Sequence, residues 1–361
     1  MKNFLPMPKS TKHVSRFLFL LVLLLGGTVA NAQVTTLQNW SVLYNNTSTA
    51  QQTVSYTVPT GSNSNRVLAV AIASSRTTAG SRTITITYGG RTMTLAAGDM
   101  TSTTPRQHTA IYYLNEAGLD LASNSNLVFT IGSGTTRVTT VWAAVFDYVD
   151  QSTPVTDSKN YNTGTGTADP FVLGTPLATN TNDQAVLVVS SIRSGNTNPR
   201  TLTFPTNFTS VDEETWTNTD GVRNAIGNRS IPTSNVTSTC STNLSGAALG
   251  SMTAVSFKGC TPATANAGSV LAAICKGGTS AALDGSVGGS ATGGTWTSSV
   301  SGGTFSPNAT TLNATWTPPA SFTGAATLTL TTTGGSCGTA TASKVLVVNP
   351  TPTSVTASAS V

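Results

Sequence analysis

Thr83-Ile84-Thr85-Ile86-Thr87-Tyr88, closed by Gly89-Gly90, is the stretch that decides the fold class. Apolar and polar residues alternate with period two. In an extended chain Ile84, Ile86 and Tyr88 share one face and the threonines take the other. The glycine pair then turns the chain. Just upstream, 66–73 (RVLAVAIA) is an apolar run of strand length and reads as a buried strand. Outward from these two, strands are expected at 51–58, 91–97, 107–115, 126–132 and 137–149. After a polar link at 156–168 come 170–178, 184–192, 201–211, 222–231 and 249–258. A last group lies near 280–287, 293–299, 310–317, 324–332 and 339–348. There Leu328 and Leu330 face inward, Thr327, Thr329 and Thr331 face out, and Trp296 and Trp316 anchor a core. Trp40, Trp142 and Tyr148 also read as core. The chain is all-β.

Composition agrees. Only 9% of the 361 residues are charged, and Gly plus Pro number 33 + 16 = 49. Helical bundles need Ala, Leu, Glu and Lys at helical spacing, which is absent. Hydrophobic residues at 38% with so little charge also argue against disorder. The net charge of +5 misleads, because Lys2, Lys9, Lys12 and Arg16 precede residue 17. Without them 14 basic face 13 acidic residues, and no Lys/Arg cluster stands out along the chain. The footprint expected for a nucleic-acid partner is absent.

Those four cations precede 17–25 (FLFLLVLLL), an apolar run too short to span a bilayer, and Ala30-Asn31-Ala32 gives a small-x-small cleavage pattern. Residues 1–32 therefore read as an export signal cut before Gln33, leaving no membrane insertion and a secreted or cell-surface chain. The even set Cys240, Cys260, Cys275 and Cys337 fits an oxidising compartment. Three pairings exist. Cys240–Cys260 with Cys275–Cys337 is the expected one, since each bridge then stays within one domain.

The block 33–260 is read as a jelly-roll-like β-sandwich, 261–268 (TPATANAG) as a linker, and 269–349 as a smaller immunoglobulin-like sandwich. Residues 350–361 are a linker and the start of a further module. Within the first block 67–75 (VLAVAIASS) with 83–88 parallels 186–194 (VLVVSSIRS) with 201–204 (TLTF). The closing run 141–149 (VWAAVFDYV) parallels 252–260 (MTAVSFKGC), which points to an internal duplication. With or without one, two facing sheets are needed to bury the alternate residues.

Residues 269–349 resemble the Cys-containing immunoglobulin-like repeats, akin to polycystic-kidney-disease-type domains, of secreted and surface modular proteins of Bacteroidetes. The likeness is carried by Ile274-Cys275-Lys276-Gly277-Gly278, Gly293-Gly294-Thr295-Trp296, Gly303-Thr304-Phe305-Ser306-Pro307, Ala314-Thr315-Trp316-Thr317-Pro318 and Cys337. Residues 34–260 resemble a β-sandwich domain of bacterial surface proteins through Thr87-Tyr88-Gly89-Gly90, Tyr112-Tyr113-Leu114 and Phe146-Asp147-Tyr148-Val149-Asp150. The resemblance implies repeats in series outside the cell, and no chemistry.

The inventory of reactive groups is thin. After the export segment His108 is the one histidine and reads as a strand-face residue, so a Ser/His/Asp hydrolase lacks its usual setting. Three glutamates remain, Glu116, Glu213 and Glu214, and the last two are adjacent, so they would point to opposite faces of a strand. The densest polar stretch runs from Asp212 to Gly221. Trp216 could stack on a sugar ring while Asp212, Asn218 and Asp220 meet its hydroxyls or a calcium ion, although the spacing does not fit an EF-hand. The bland alternative is a Trp packed on a sandwich edge beside solvated acids. No cofactor is called for, and no metal other than that calcium. The sequence thus points to a non-enzymatic secreted or surface protein with an adhesion or scaffold role, meeting an extracellular glycan or protein surface. The alternative is a carbohydrate-binding accessory region of a secreted enzyme.

Overall fold

The computed structural model describes residues 32–47, 51–60, 65–100, 106–132, 134–206, 208–217, 220–230 and 241–351. The export segment, Asn218, Cys240 and the strand expected over 354–361 lie outside them.

The first lobe comprises β1 (Thr35–Asn46), β2 (Gln52–Ser55), β3 (Val67–Arg76), β4 (Thr83–Tyr88), β5 (Arg91–Thr92), β6 (Thr94–Gly98) and β7 (Gln107–Asn115). A one-turn helix, α1 (Glu116–Asp120), then precedes β8 (Asn126–Gly132) and β9 (Thr136–Asp147). Its two sheets have the orders β1-β9-β3-β7-β6 and β2-β8-β4-β5. Counting β5 and β6 as one strand that changes sheet at Met93, the orders are 1-8-3-6-5 and 2-7-4-5, the jelly-roll arrangement. Met93 is buried at the crossing, and Gly89 and Gly90 take φ of +52° and +79° in the turn before it. Leu68, Val70, Ile72, Ile86, Tyr88 and Phe129 fill the core between the sheets.

The second lobe repeats this topology. It comprises β10 (Val155–Asn162), β11 (Phe171–Val172), β12 (Gln184–Arg193), β13 (Leu202–Thr203), β14 (Thr209–Thr217), β15 (Gly221–Ser230), β16 (Ser241–Leu244) and β17 (Leu249–Phe257). The orders β10-β17-β12-β15-β14 and β11-β16-β13 match those of the first lobe, except that the smaller sheet has no counterpart of β5. The duplication read from 67–75 and 186–194 falls on β3 and β12, which hold the same central place in the two sheets. β1 and β16 lie where no strand is expected, 201–211 is strand only at Leu202–Thr203 and from Thr209 on, and 280–287 and 310–317 only from Ser286 and Thr315. Two further stretches of this lobe differ from expectation. The polar link at 156–168 contains β10, an edge strand paired only to β17, where half-exposed polar residues are tolerated. Of 170–178 only Phe171 and Val172 are strand.

The block 33–260 is therefore not one two-sheet sandwich but four sheets, because the two five-stranded sheets pack on each other. Val67, Ala69, Ala71, Trp142 and Phe146 of the first lobe meet Val186, Val188, Ile226, Val255 and Phe257 of the second. Every residue of β3 is buried, as is every residue of β12 except Arg193. Their near-continuous apolar runs follow from having no solvent face. Each fully buried Val, Leu or Phe contributes about 1.5–3 kcal/mol relative to exposure.

The C-terminal module comprises β18 (Ala263–Asn266), β19 (Ile274–Cys275), β20 (Ser286–Gly289), β21 (Gly293–Ser298), β22 (Thr304–Ser306), β23 (Thr315–Thr317), β24 (Gly324–Thr333) and β25 (Thr341–Asn349). It is a small immunoglobulin-like sandwich with a four-stranded sheet β19-β25-β24-β21 and the pairs β18-β20 and β22-β23. Trp296, Trp316, Leu328 and Leu330 are its core, as their alternation predicts. Lys344 is buried there, held by the carbonyls of Leu283 and Ser269 with its ammonium 5.7 Å from the Trp296 ring centroid. Desolvation lowers its pKa.

The expected disulfides are corrected. Cys260 pairs with Cys337, Cα atoms 5.4 Å apart, so the bridge joins the end of the jelly-roll body to the loop between β24 and β25. Cys275 is a free, exposed thiol. The domain argument failed because 261–268 is no loose linker: 263–266 pair with β20 directly after Cys260, bringing that cysteine to the module's own loop.

Candidate functional site

Polar side chains buried between the two five-stranded sheets form the densest chemical constellation among the described residues. Gln107 Nε2 donates to Ser75 Oγ at 2.9 Å, and Ser190 Oγ donates to Gln107 Oε1 at 2.6 Å. Ser190 also lies 2.7 Å from Asn224 Oδ1, and Asn224 Nδ2 donates to Thr140 Oγ1 at 2.9 Å. From Thr140 the chain passes to Asn45 (3.2 Å) and on to Glu214 Oε2 (2.7 Å). Three of these bonds, Ser190–Gln107, Asn224–Thr140 and Asn45–Glu214, cross between the lobes. Sequence reading placed apolar residues inside and overlooked Ser, Thr, Asn and Gln, whose strands carry them inward wherever a facing sheet supplies partners.

Asp99 lies on the same belt, and His108 packs beside it within the first lobe. The imidazole is fully buried, Nδ1 3.2 Å from Asp99 O and Nε2 2.8 Å from Gly80 O. The Asp99 carboxylate accepts from Thr109 N–H (3.0 Å), from Ser251 Oγ (3.0 Å) and from Asn162 Nδ2. Burial raises the Asp99 pKa against the pull of His108, and it lowers His108 against the pull of Asp99. An acid, a histidine and a serine thus come together, but in the wrong order for nucleophilic catalysis. The serine bonds the acid, while both ring nitrogens face carbonyls.

The stretch singled out around Trp216 is β14, and its register with β15 fixes the side-chain directions. Asp212, Glu214 and Trp216 pair with Ile226, Asn224 and Val222, residues that face the first lobe. Trp142 Nε1 donates to Asp212 Oδ2 at 2.6 Å. Glu214 is held by Asn45, and its pKa is raised by burial and by Asp212. Trp216 is half-buried against Val138, Ile192, Val222 and Leu249. Asp220 stands apart from these, with Oδ1 accepting Gly195 N–H at 2.6 Å. Its Oδ2 receives Arg106 at 3.0 Å and Arg137 at 2.8 Å, two first-lobe arginines on one second-lobe carboxylate. Nothing in the sequence signals this meeting, since 31 to 114 residues separate the three positions.

One pocket among the described residues, about 440 Å³, is lined by Arg91, Thr92, Thr94, Leu114 and Asn115. One of about 230 Å³ lies at the module junction beside Lys258 and Cys260. One of about 180 Å³ exposes Arg66 and Tyr88. Arg66 is committed to Glu116, which also accepts the Arg66 backbone N–H at 2.6 Å. Among the described residues no group of three or more His, Cys, Asp or Glu is placed to hold a metal ion. No described helix is long and apolar enough to cross a membrane.

No family model matches the chain, and no curated protein matches it. Among solved structures, the crystal structure of the Protocadherin GammaB4 extracellular domain is similar over 88% of this chain at 12% identity and a TM-score of 0.24. The chain spans 64% of that structure's length.

Proposed function

We propose that this is a non-catalytic, exported modular protein that acts outside the cell as an adhesive or presenting scaffold. One observation carries the reading: successive β-modules are locked to one another rather than strung on loose linkers. The jelly rolls share a buried interface, and Cys260–Cys337 fastens the next module to them. Such locking suits a protein that must hold a surface in place under load, and the disulfide suits an oxidising compartment. Asp99, Asp212, Glu214 and Asp220 are spent on bonds between the lobes, while His108, Glu116 and Glu213 are spent on partners within their own lobe. The resemblance to surface modular proteins points the same way.

The test has two arms. Antibody labelling of intact producing cells is expected to reach the protein, and beads coated with 33–361 are expected to adhere under flow to glycan or matrix-protein surfaces. Protein confined within the cells, or turnover of ester or glycoside substrates by the purified chain, would overturn the reading.

A second reading, a carbohydrate-binding region of a larger enzyme, draws on the half-buried Trp216. A glycan array with Trp216→Ala, with and without calcium, separates it. Saturable binding lost in the variant favours it, and no binding removes it.

A further inference from the structure

We propose that the arginine pair on Asp220 is a binding site for anionic polysaccharide, one bearing carboxylate or sulfate groups. The fold builds it from three remote places: Arg106 just before β7, Arg137 in β9, and Asp220 just before β15. Both guanidiniums meet the same carboxylate oxygen, so the trio carries a charge of +1. The side chains of Arg106 and Arg137 keep 19% and 13% of their surface in water, while Asp220 keeps 7%. The two guanidiniums are thus part-buried, yet both keep more contact with water than the carboxylate between them.

More positive charge stands behind them. The Arg76 carbonyl accepts from Arg106 Nε at 3.3 Å, and Arg82 donates to the carbonyls of Ser75 and Gly134. Arg82 is pushed down to about 10 by burial and by Arg76. Arg137 is lowered by burial and by Arg106, against the pull of Asp220. Arg76 and Arg82 thus add cations behind the trio, and Arg193, opposite Gly221 in the β12–β15 register, adds one beside Asp220. The chain neighbours 101–105, 133 and 218–219 carry no charged residue.

The guanidinium fork matches carboxylate and sulfate geometry. The half-buried Trp216 packs on Val138, the residue after Arg137, and brings a ring to the same end of the lobe interface. A ring beside guanidinium groups suits a charged pyranose. Nucleic acid is the poorer fit, since it draws on many basic residues along a groove and the exported chain has a net charge near +1. The inference rests on the extracellular reading only for the choice of polymer.

The test is direct titration of purified 33–361 with polygalacturonate, dextran sulfate, neutral dextran and single-stranded DNA, each variant checked for folding by circular dichroism. Binding to one or both acidic polysaccharides, none to neutral dextran, and weakening with salt are expected. Arg106→Gln and Arg137→Gln each leave a neutral Arg–Asp pair, so they should fold and bind about tenfold more weakly, the size of one charge-assisted contact. Asp220→Asn keeps an acceptor for Gly195 and should bind about tenfold more tightly, which a purely structural role for the trio does not predict. The arms with carboxylate and sulfate identify the group bound. No binding, equal binding by all variants, or binding of DNA alone overturns the proposal. Adhesion of coated beads without polyanion binding would sink this site and leave the scaffold reading standing.

Discussion

Replacing Cys260 and Cys337 by serine opens a ring that encloses nearly the whole C-terminal module. The two cysteines are 77 residues apart, and β18 through β24 lie between them. In the chain-entropy model the bridge removes about 2.1 + 1.5R ln 77, or ~15 cal/mol/K, from the unfolded ensemble, hence ~4.5 kcal/mol at 25 °C. That stabilisation belongs to the module inside the ring. The jelly-roll body has its own cores and is tied to the ring at Cys260. Urea unfolding of the native and the double-serine protein should therefore separate two transitions. Trp296 and Trp316 report the module, and Trp142 the body, through single-Trp variants. The module transition should lose roughly 3–5 kcal/mol and the body transition less than about 1 kcal/mol. Equal loss in both transitions, or none in the module, would refute the assignment of the bridge to the module's ring.

Three further outcomes are expected. Gly250→Val should cost about 2–3 kcal/mol in urea unfolding, because even a Cβ there would lie 1.9 Å from the Phe171 ring; adding Phe171→Leu should recover part of it. Asn224→Ala leaves Thr140 and Ser190 short of partners in the lobe interface and should destabilise by about 2–3 kcal/mol, visible in the body transition alone. Burial lowers the His108 pKa, so the stability tied to neutral His108 is intact above about pH 6.5 and is lost as pH falls toward the folded value, by at most ~1.4 kcal/mol per pH unit. His108→Gln should flatten that fall. Asp99, raised by burial, acts in the opposite sense, adding stability as pH drops through its own folded value.

Local strand geometry was legible in the sequence. The alternation at 83–88 placed Ile86 and Tyr88 in the core, and the same rule placed Leu328 and Leu330. The run 66–73 read as buried, but burial on both faces, with a second sheet beyond, became visible only when β12 was found opposite. Trp40 and Trp142 are core as expected, whereas Tyr148 is half-buried at φ +59°, where the chain turns out of β9. Candidate site residues fared differently. Strand parity shows that Asp212, Glu214 and Trp216 share a face, yet whether that face meets water or another lobe is a tertiary fact. The Arg106–Arg137–Asp220 meeting and the Cys260–Cys337 pairing are likewise set by long-range packing, which no local pattern encodes.

The matched faces of the two jelly rolls have a consequence for how such a chain could arise and be divided. A half cut at the β9–β10 connection would carry Val67, Ala69, Ala71, Trp142 and Phe146 into solvent. Such a half would be driven to pair with a second copy of itself, since the face it lost was built on the same strand order. Fusion in one polypeptide turns that encounter into an intramolecular one, at an effective concentration in the millimolar range for a short connection. Once joined, the halves need no longer be identical. Each side of the seam is then free to diverge, so that one partner can supply arginines and the other the aspartate that gathers them.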